Sequence, residues 1–182
     1  MDKILFFIGK SGVGKTSLMD KLVCINDLFF MPTITVTRNL RFDDNSELIS
    51  RVSVEEFIAK RKAKNFVVSF DDGKNYYGYN KFHLHRNGKI NLMYGSPYAL
   101  NKIKRCGSVI LIDGDADKGL FLRYQNFRLM MSRQKINYEL SRRFYENDDF
   151  RNSIDIIFYN NFSCLDSLTK QLNHLILQNK KA

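Results

Sequence analysis

Gly9-Lys10-Ser11-Gly12-Val13-Gly14-Lys15-Thr16 fits the pattern G-x-x-x-x-G-K-[ST] at every constrained position. The glycines let successive backbone N–H groups curl around a polyphosphate, and a following helix adds the positive end of its dipole. Lys15 can reach the β- and γ-phosphates, and the Thr16 hydroxyl is placed to ligate Mg²⁺. The stretch from Gly9 to Ser17 is therefore expected to hold a nucleoside triphosphate. Farther along, Asp113 ends an apolar run and is a candidate to hold Mg²⁺ through water; a turn or helix-capping role is the alternative.

Such a loop works only between a strand and a helix. Ile4-Leu5-Phe6-Phe7-Ile8 reads as a buried parallel strand entering it, and Thr16-Ser17-Leu18-Met19 opens a helix that runs to about Val23. Strand and helix signals then alternate to the end of the chain, which predicts an α/β fold: a P-loop parallel sheet with flanking helices. Further core strands are expected at Ile90–Tyr94, Ser108–Asp113 and Asp155–Tyr159. Leu165, Leu168, Leu172 and Leu175 predict a closing helix with one apolar stripe.

Thr33–Tyr79 reads as a small insertion over the P-loop end of the sheet. Ser53 and Glu56 form a capping box for a helix to about Ala63. Phe66–Phe70 and Asn75–Tyr79 read as a hairpin turning at Asp71-Asp72-Gly73-Lys74. A short helix is expected over Asn80–Asn87, ending at Gly88. Ser96 and Pro97 suggest a helix N-cap and first position. A long basic helical region is expected over Lys118–Glu146, broken near Met131-Ser132.

The 182 residues suit one compact domain, and no 18-residue apolar run is present to span a membrane. Cys24, Cys106 and Cys164 are odd in number and widely spaced, so a disulfide frame or zinc site is not suggested and a cytoplasmic location is the simplest expectation. Twenty-nine Lys and Arg against nineteen Asp and Glu give a net charge of +10, which attracts anions. Small phosphorylated ligands account for part of that excess; no nucleic-acid recognition motif accompanies it. His83, His85 and His174 read as surface residues. Asp113-Gly114-Asp115-Ala116-Asp117 lacks the glycine and glutamate that a calcium loop would need.

Four pieces in order carry a resemblance: the P-loop, Val36-Thr37-Arg38, Val52-Ser53-Val54-Glu55-Glu56-Phe57, and Asn75-Tyr76-Tyr77-Gly78. Over nearly its whole length the chain resembles the guanylate-kinase-like group of P-loop kinases. The resemblance implies that ATP with Mg²⁺ is the donor, and that the insertion (about residues 33–80) binds a phosphorylated acceptor. Thr37 and Arg38, with Arg41, would hold the acceptor phosphate, and Tyr77 would add its phenol; a guanidinium fork suits a phosphate dianion. A lid over about residues 120–143 would bring arginines from among Arg123, Arg128, Arg133, Arg142 and Arg143. Family order points to Arg128 and Arg142, alongside Lys15, as the catalytic cations.

The departures bear on the acceptor. The glutamate that reads guanine in this group falls at Val68 here. The small hydroxyl residue after Tyr-Tyr-Gly is Tyr79, the acceptor-side aspartate is Tyr94, and the tyrosine before the capping box is Ile49. A lid arginine of relatives falls at Glu139. The ribose 1,5-bisphosphate phosphokinases are similar in lacking the glutamate, and they carry Gly-Ser after the central strand, as Gly95-Ser96 here. That resemblance implies transfer of the γ-phosphoryl of ATP to ribose 1,5-bisphosphate, giving 5-phosphoribosyl diphosphate, from a monomer or homodimer. A guanylate or other nucleoside monophosphate kinase, a catalytically weak binding module and a nucleic-acid-associated NTPase stay open beside it.

Overall fold

A computed structural model describes residues 3–41, 45–84, 88–123 and 127–179; at 119, 121–123, 127–130 and 132 it describes the backbone alone. The main sheet has five strands, ordered β2 (Phe29–Phe30), β7 (Ile90–Tyr94), β1 (Lys3–Ile8), β8 (Ser108–Gly114) and β9 (Ile156–Asn160). Every pairing in it is parallel, with Phe7 opposite Tyr94 and Ile110. Strand β1 is buried on both faces, as its unbroken apolar run requires. Leu5 and Phe7 enter one core, while Ile4, Phe6 and Ile8 enter the other. Full burial of each such side chain favours the fold by about 1.5–3 kcal/mol.

One core lies beneath α1 (Lys15–Ile25) and α7 (Leu165–Gln178). The buried stripe of α7 is Leu168, Leu172 and Ile176 with Thr169, rather than the expected leucine series; Leu165 and Leu175 stay exposed. An i, i+4, i+8 row follows the sheet groove, and the other leucines fall to its sides. The expected last strand is present as β9, and its burial alternates: Ile157 and Tyr159 are exposed on this edge strand of the sheet.

A second, four-stranded sheet is ordered β4 (Ile49–Arg51), β3 (Ile34–Val36), β6 (Tyr76–Asn80) and β5 (Phe66–Asp71). It coincides with the expected insertion, and β5 and β6 form the expected hairpin. The Ser53–Glu56 capping box is present at the start of α2 (Val54–Lys62). Phe57 of α2 stacks on Phe66 and Tyr76 of the small sheet at 4.7 and 5.5 Å.

Three expected elements differ. The helix over Asn80–Asn87 is reduced to one tight turn, Lys81–His83, and His85 lies outside the described residues. Ser96 and Pro97 hold the expected N-cap and first positions, but of a tight turn, Pro97–Ala99, that leads into the four-residue α3 (Leu100–Ile103), and the Ser96 side chain makes no capping bond. The long basic region divides into α4 (Ala116–Arg123) and α5 (Phe127–Leu140), and α5 runs unbroken through Met131-Ser132. A wide turn, Ser141–Tyr145, ends it, followed by α6 (Asp148–Asn152). Among the described residues no helix is long and apolar enough to cross a membrane.

Candidate active site

The P-loop runs from the end of β1 to the start of α1, whose N-cap is Gly14 in the left-handed conformation. Gly12 shows why the loop needs its glycines: its φ is +94°, and a Cβ there would lie 2.6 Å from the Ala116 carbonyl and 2.8 Å from Leu120 of α4. At the other side the Asn160 side chain, from the end of β9, donates to the Val13 carbonyl at 2.9 Å. The loop is thus braced by elements far along the chain. Lys15 donates to the carbonyls of Gly9 and Lys10 at 2.8 and 2.7 Å, so its ammonium is held across the loop mouth. Thr16 and Ser17 are exposed on the first turn of α1. The Thr16 hydroxyl lies 3.3 Å from that of Tyr94, at the end of β7.

Asp113 does not stand open toward the loop. Its carboxylate accepts from Arg151 of α6 at 2.8 Å and from the Gly114 amide at 2.9 Å. Arg151 also donates to the Tyr145 carbonyl at 3.1 Å. The aspartate therefore anchors the segment after α5, the structural alternative to a Mg²⁺ role. Among the described residues no group of three His, Cys, Asp or Glu gathers as a metal cluster. A Mg²⁺ ion that takes most of its ligands from phosphates and water needs no such cluster, and Thr16 suits that mode.

On the acceptor side, Thr37 joins two strands: its hydroxyl accepts the Tyr76 N–H at 2.9 Å, and its own N–H donates to the Tyr76 carbonyl at 3.1 Å. Thr37 thus has a structural duty beside the acceptor-binding role expected of it. Arg38 donates to the Asn39 carbonyl at 2.8 Å. Tyr77 is engaged as well, since its hydroxyl donates to Asp72 at 2.7 Å. Burial first, and then this carboxylate, push the phenol up to about 12, while Arg38 and Arg41 pull it down. The two arginines and the phenol thus share one electrostatic neighbourhood. Asp72 itself is held below its ordinary range; partial desolvation works against this, but the Tyr77 hydroxyl and the Asn75 and Lys74 amides outweigh it.

Val68 and Tyr79 sit directly opposite each other on β5 and β6, and both are buried. The Tyr79 hydroxyl accepts the Tyr94 N–H at 2.7 Å, which links the small sheet to β7 of the main sheet. Desolvation holds this phenol well above its ordinary range. Gly95 is fixed by packing, because a Cβ would meet Ile8 at 2.8 Å and Ile103 at 3.0 Å. Ser96 is buried beside it.

The lid region is helical and lies on the loop. The Asn137 side chain of α5 pairs with the Ser11 backbone, and Tyr145 stands against Gly9. Neither residue belongs to a motif, and the pairing spans 126 positions, so the sequence carried no signal for it. Arg133, one turn before Asn137, shares its helix face and is half-buried. Arg142 is exposed, and Arg143 is stacked over the rings of Tyr98 and Phe144 at 5.1 and 5.3 Å. The side chains of Arg123 and Arg128 lie outside the described residues, and Glu139 is exposed. An open cleft of about 540 Å³ separates Lys10 and Asp115 from Gln134 and Tyr138 of α5.

This architecture, a parallel sheet ending in a P-loop with a small inserted sheet beside it, is the guanylate-kinase-like P-loop α/β fold. A solved structure of guanylate kinase from Anaplasma phagocytophilum superposes with a TM-score of 0.64 at 13% identity, covering 100% of this chain and 89% of that one. At that identity the likeness speaks for the fold. No protein-family model and no curated protein sequence matches the chain.

Proposed function

We propose that the chain is an ATP-dependent phosphotransferase acting on a small phosphorylated acceptor. The observation that carries this reading is the placement of Tyr94. Its hydroxyl touches the P-loop Thr16, while its amide is held by Tyr79 of the small sheet. Tyr94 therefore links the P-loop to the small sheet, whose strand β3 leads into Arg38 and Arg41, and this link supports transfer between two phosphate-bearing ligands. A motor or switch would not need the second site.

In this reaction an oxygen of the acceptor phosphate attacks the γ-phosphorus of ATP. The new O–P bond forms as the bond from the γ-phosphorus to the β–γ bridging oxygen breaks, and ADP leaves with that electron pair. Mg²⁺, held by Thr16 and the donor phosphates, would supply charge neutralisation. Lys15 would turn from the Gly9 and Lys10 carbonyls to the β- and γ-oxygens. Arg38 and Arg41 would hold the acceptor phosphate.

The pair Val68 and Tyr79, buried in the core at the positions of the guanine-reading glutamate and the small hydroxyl residue of the resembled group, supports an acceptor without a purine base. It offers neither a carboxylate nor an amide to a guanine edge, and each unmatched polar group buried there would cost about 1–3 kcal/mol. A sugar phosphate fits this better, with ribose 1,5-bisphosphate going to 5-phosphoribosyl diphosphate as the leading case. The Anaplasma structure favours a second reading, a guanylate kinase that rebuilds base recognition from other residues.

The deciding measurements are Mg·ATP binding by the wild type and Lys15→Ala, then transfer from labelled ATP to ribose 1,5-bisphosphate and to a panel of nucleoside monophosphates. Binding lost in the variant, with transfer to the bisphosphate, is the expected result. Rapid phosphorylation of GMP would establish the second reading. Binding of ATP without transfer to any acceptor would leave a nucleotide-binding module.

A further inference from the structure

Asn137 meets both backbone groups of one P-loop residue. Its Oδ1 accepts the Ser11 N–H at 2.9 Å, and its Nδ2 donates to the Ser11 carbonyl at 2.8 Å. The side chain is only 5% exposed, so both bonds lie in a low dielectric that strengthens them. One planar amide bonded twice to one residue fixes tilt as well as distance. The helix that carries it cannot slide along the loop without losing both bonds.

The turn after α5 places a second residue on the same side. The Glu146 amide donates to the Ser141 carbonyl at 3.0 Å, an i→i+5 bond. In a continuous α-helix, positions eight apart differ by about 80° around the axis. A wider turn rotates less per residue, and so brings Tyr145 back toward the face of Asn137. Tyr145 is buried against Gly9, whose amide acts on the phenol without reaching hydrogen-bond geometry. Asn137 and Tyr145 thus address the front half of the loop, Gly9 to Ser11, which the α1 dipole does not organise.

We propose that Asn137 is a positioning residue for phosphoryl transfer. By pairing with Ser11 it sets the register of α5 on the P-loop, so that side chains one turn away, Arg133 first among them, meet the terminal phosphate at a fixed offset. Both polar functions of its side chain are spent on Ser11, so it acts through the loop and the helix. The proposal rests on the kinase reading. Its expected size follows from geometry, since a displacement of about 1 Å can cost on the order of 100-fold in rate.

The test uses the full chain with Asn137→Ala, Arg133→Ala and the double variant. Asn137→Asp, which keeps an acceptor for the Ser11 N–H, is read instead if the alanine chain unfolds. In ligand-free protein the Ser11 amide should exchange with solvent at least about 10-fold faster once Asn137 is removed. Mg·ADP affinity and the KM for ATP should change less than about threefold, while kcat falls roughly 10- to 100-fold. The double variant should be no slower than Arg133→Ala alone.

Equal Ser11 exchange, an unchanged kcat in the Asn137 variant, or losses that multiply in the double variant would overturn the proposal while the wild type still turns over. A wild type that transfers phosphate to no acceptor overturns the kinase reading and the proposal with it.

Discussion

The hydroxyl of Tyr77 donates to the carboxylate of Asp72 at 2.7 Å, across the turn of the β5–β6 hairpin. This bond ties a phenol on which Arg38 and Arg41 act to a carboxylate of the same hairpin. Its pH dependence has two edges. Asp72 titrates below its ordinary value of 3.8 in the folded chain, so its contribution is complete above that value and is lost as pH falls through the folded one. Tyr77 is pushed up from 10.0 to about 12, so its contribution is complete below 10.0 and is lost as pH rises toward 12. The urea midpoints of wild type and Asp72→Asn should therefore differ by a constant amount from about pH 5 to 9 and converge on either side. A gap that does not vary with pH would show that the bond does not form in solution.

Tyr79 joins the two sheets through the Tyr94 amide. Tyr79→Phe keeps the ring and strands that N–H without its acceptor. A loss of about 1–3 kcal/mol is expected, measured by chemical denaturation. Tyr79→Ser would add a cavity and should cost about 3–5 kcal/mol. If Tyr79→Phe matched the wild type, the amide must find another partner and the linkage would be incidental.

Tyr145 presents the opposite case, a buried hydroxyl with no hydrogen-bond partner among the described residues. Burial, with smaller effects from Tyr98 and Asp113, holds this phenol above its ordinary range. Tyr145→Phe removes a group that is a burden when unpaired. The ligand-free chain should gain on the order of 1 kcal/mol, read as a rise in melting temperature. A fall would mean that a partner, such as ordered water, satisfies the hydroxyl.

How much the sequence disclosed depended on the range of the interaction. The strand–loop–helix unit around Lys15, the Ser53–Glu56 cap and the hairpin ending at Tyr79 are local patterns, and the structure has all three. Strands β2 and β4, of two and three residues, were missed because they are too short to show a period. At the site, the sequence named Arg38, Arg41 and Tyr77 together, and the structure has both arginines acting on the Tyr77 phenol. It could not see that Thr37 and Tyr77 already serve the hairpin, or that Asp113 is bound to Arg151. Asn137 was invisible for a different reason. A lone asparagine in a basic helix has no pattern of its own, and its meaning comes wholly from the Ser11 backbone it meets.

The brace that Asn160 places on the Val13 carbonyl bears on how the chain is made. The phosphate loop is made 147 positions before the residue that braces it. At about 5–20 residues per second the loop waits on the order of ten seconds for that partner. Until β9 docks, the Val13 carbonyl lacks the Asn160 donor that braces the loop. The nascent chain should therefore gain ATP affinity abruptly and late, when its last strand joins the edge of the sheet.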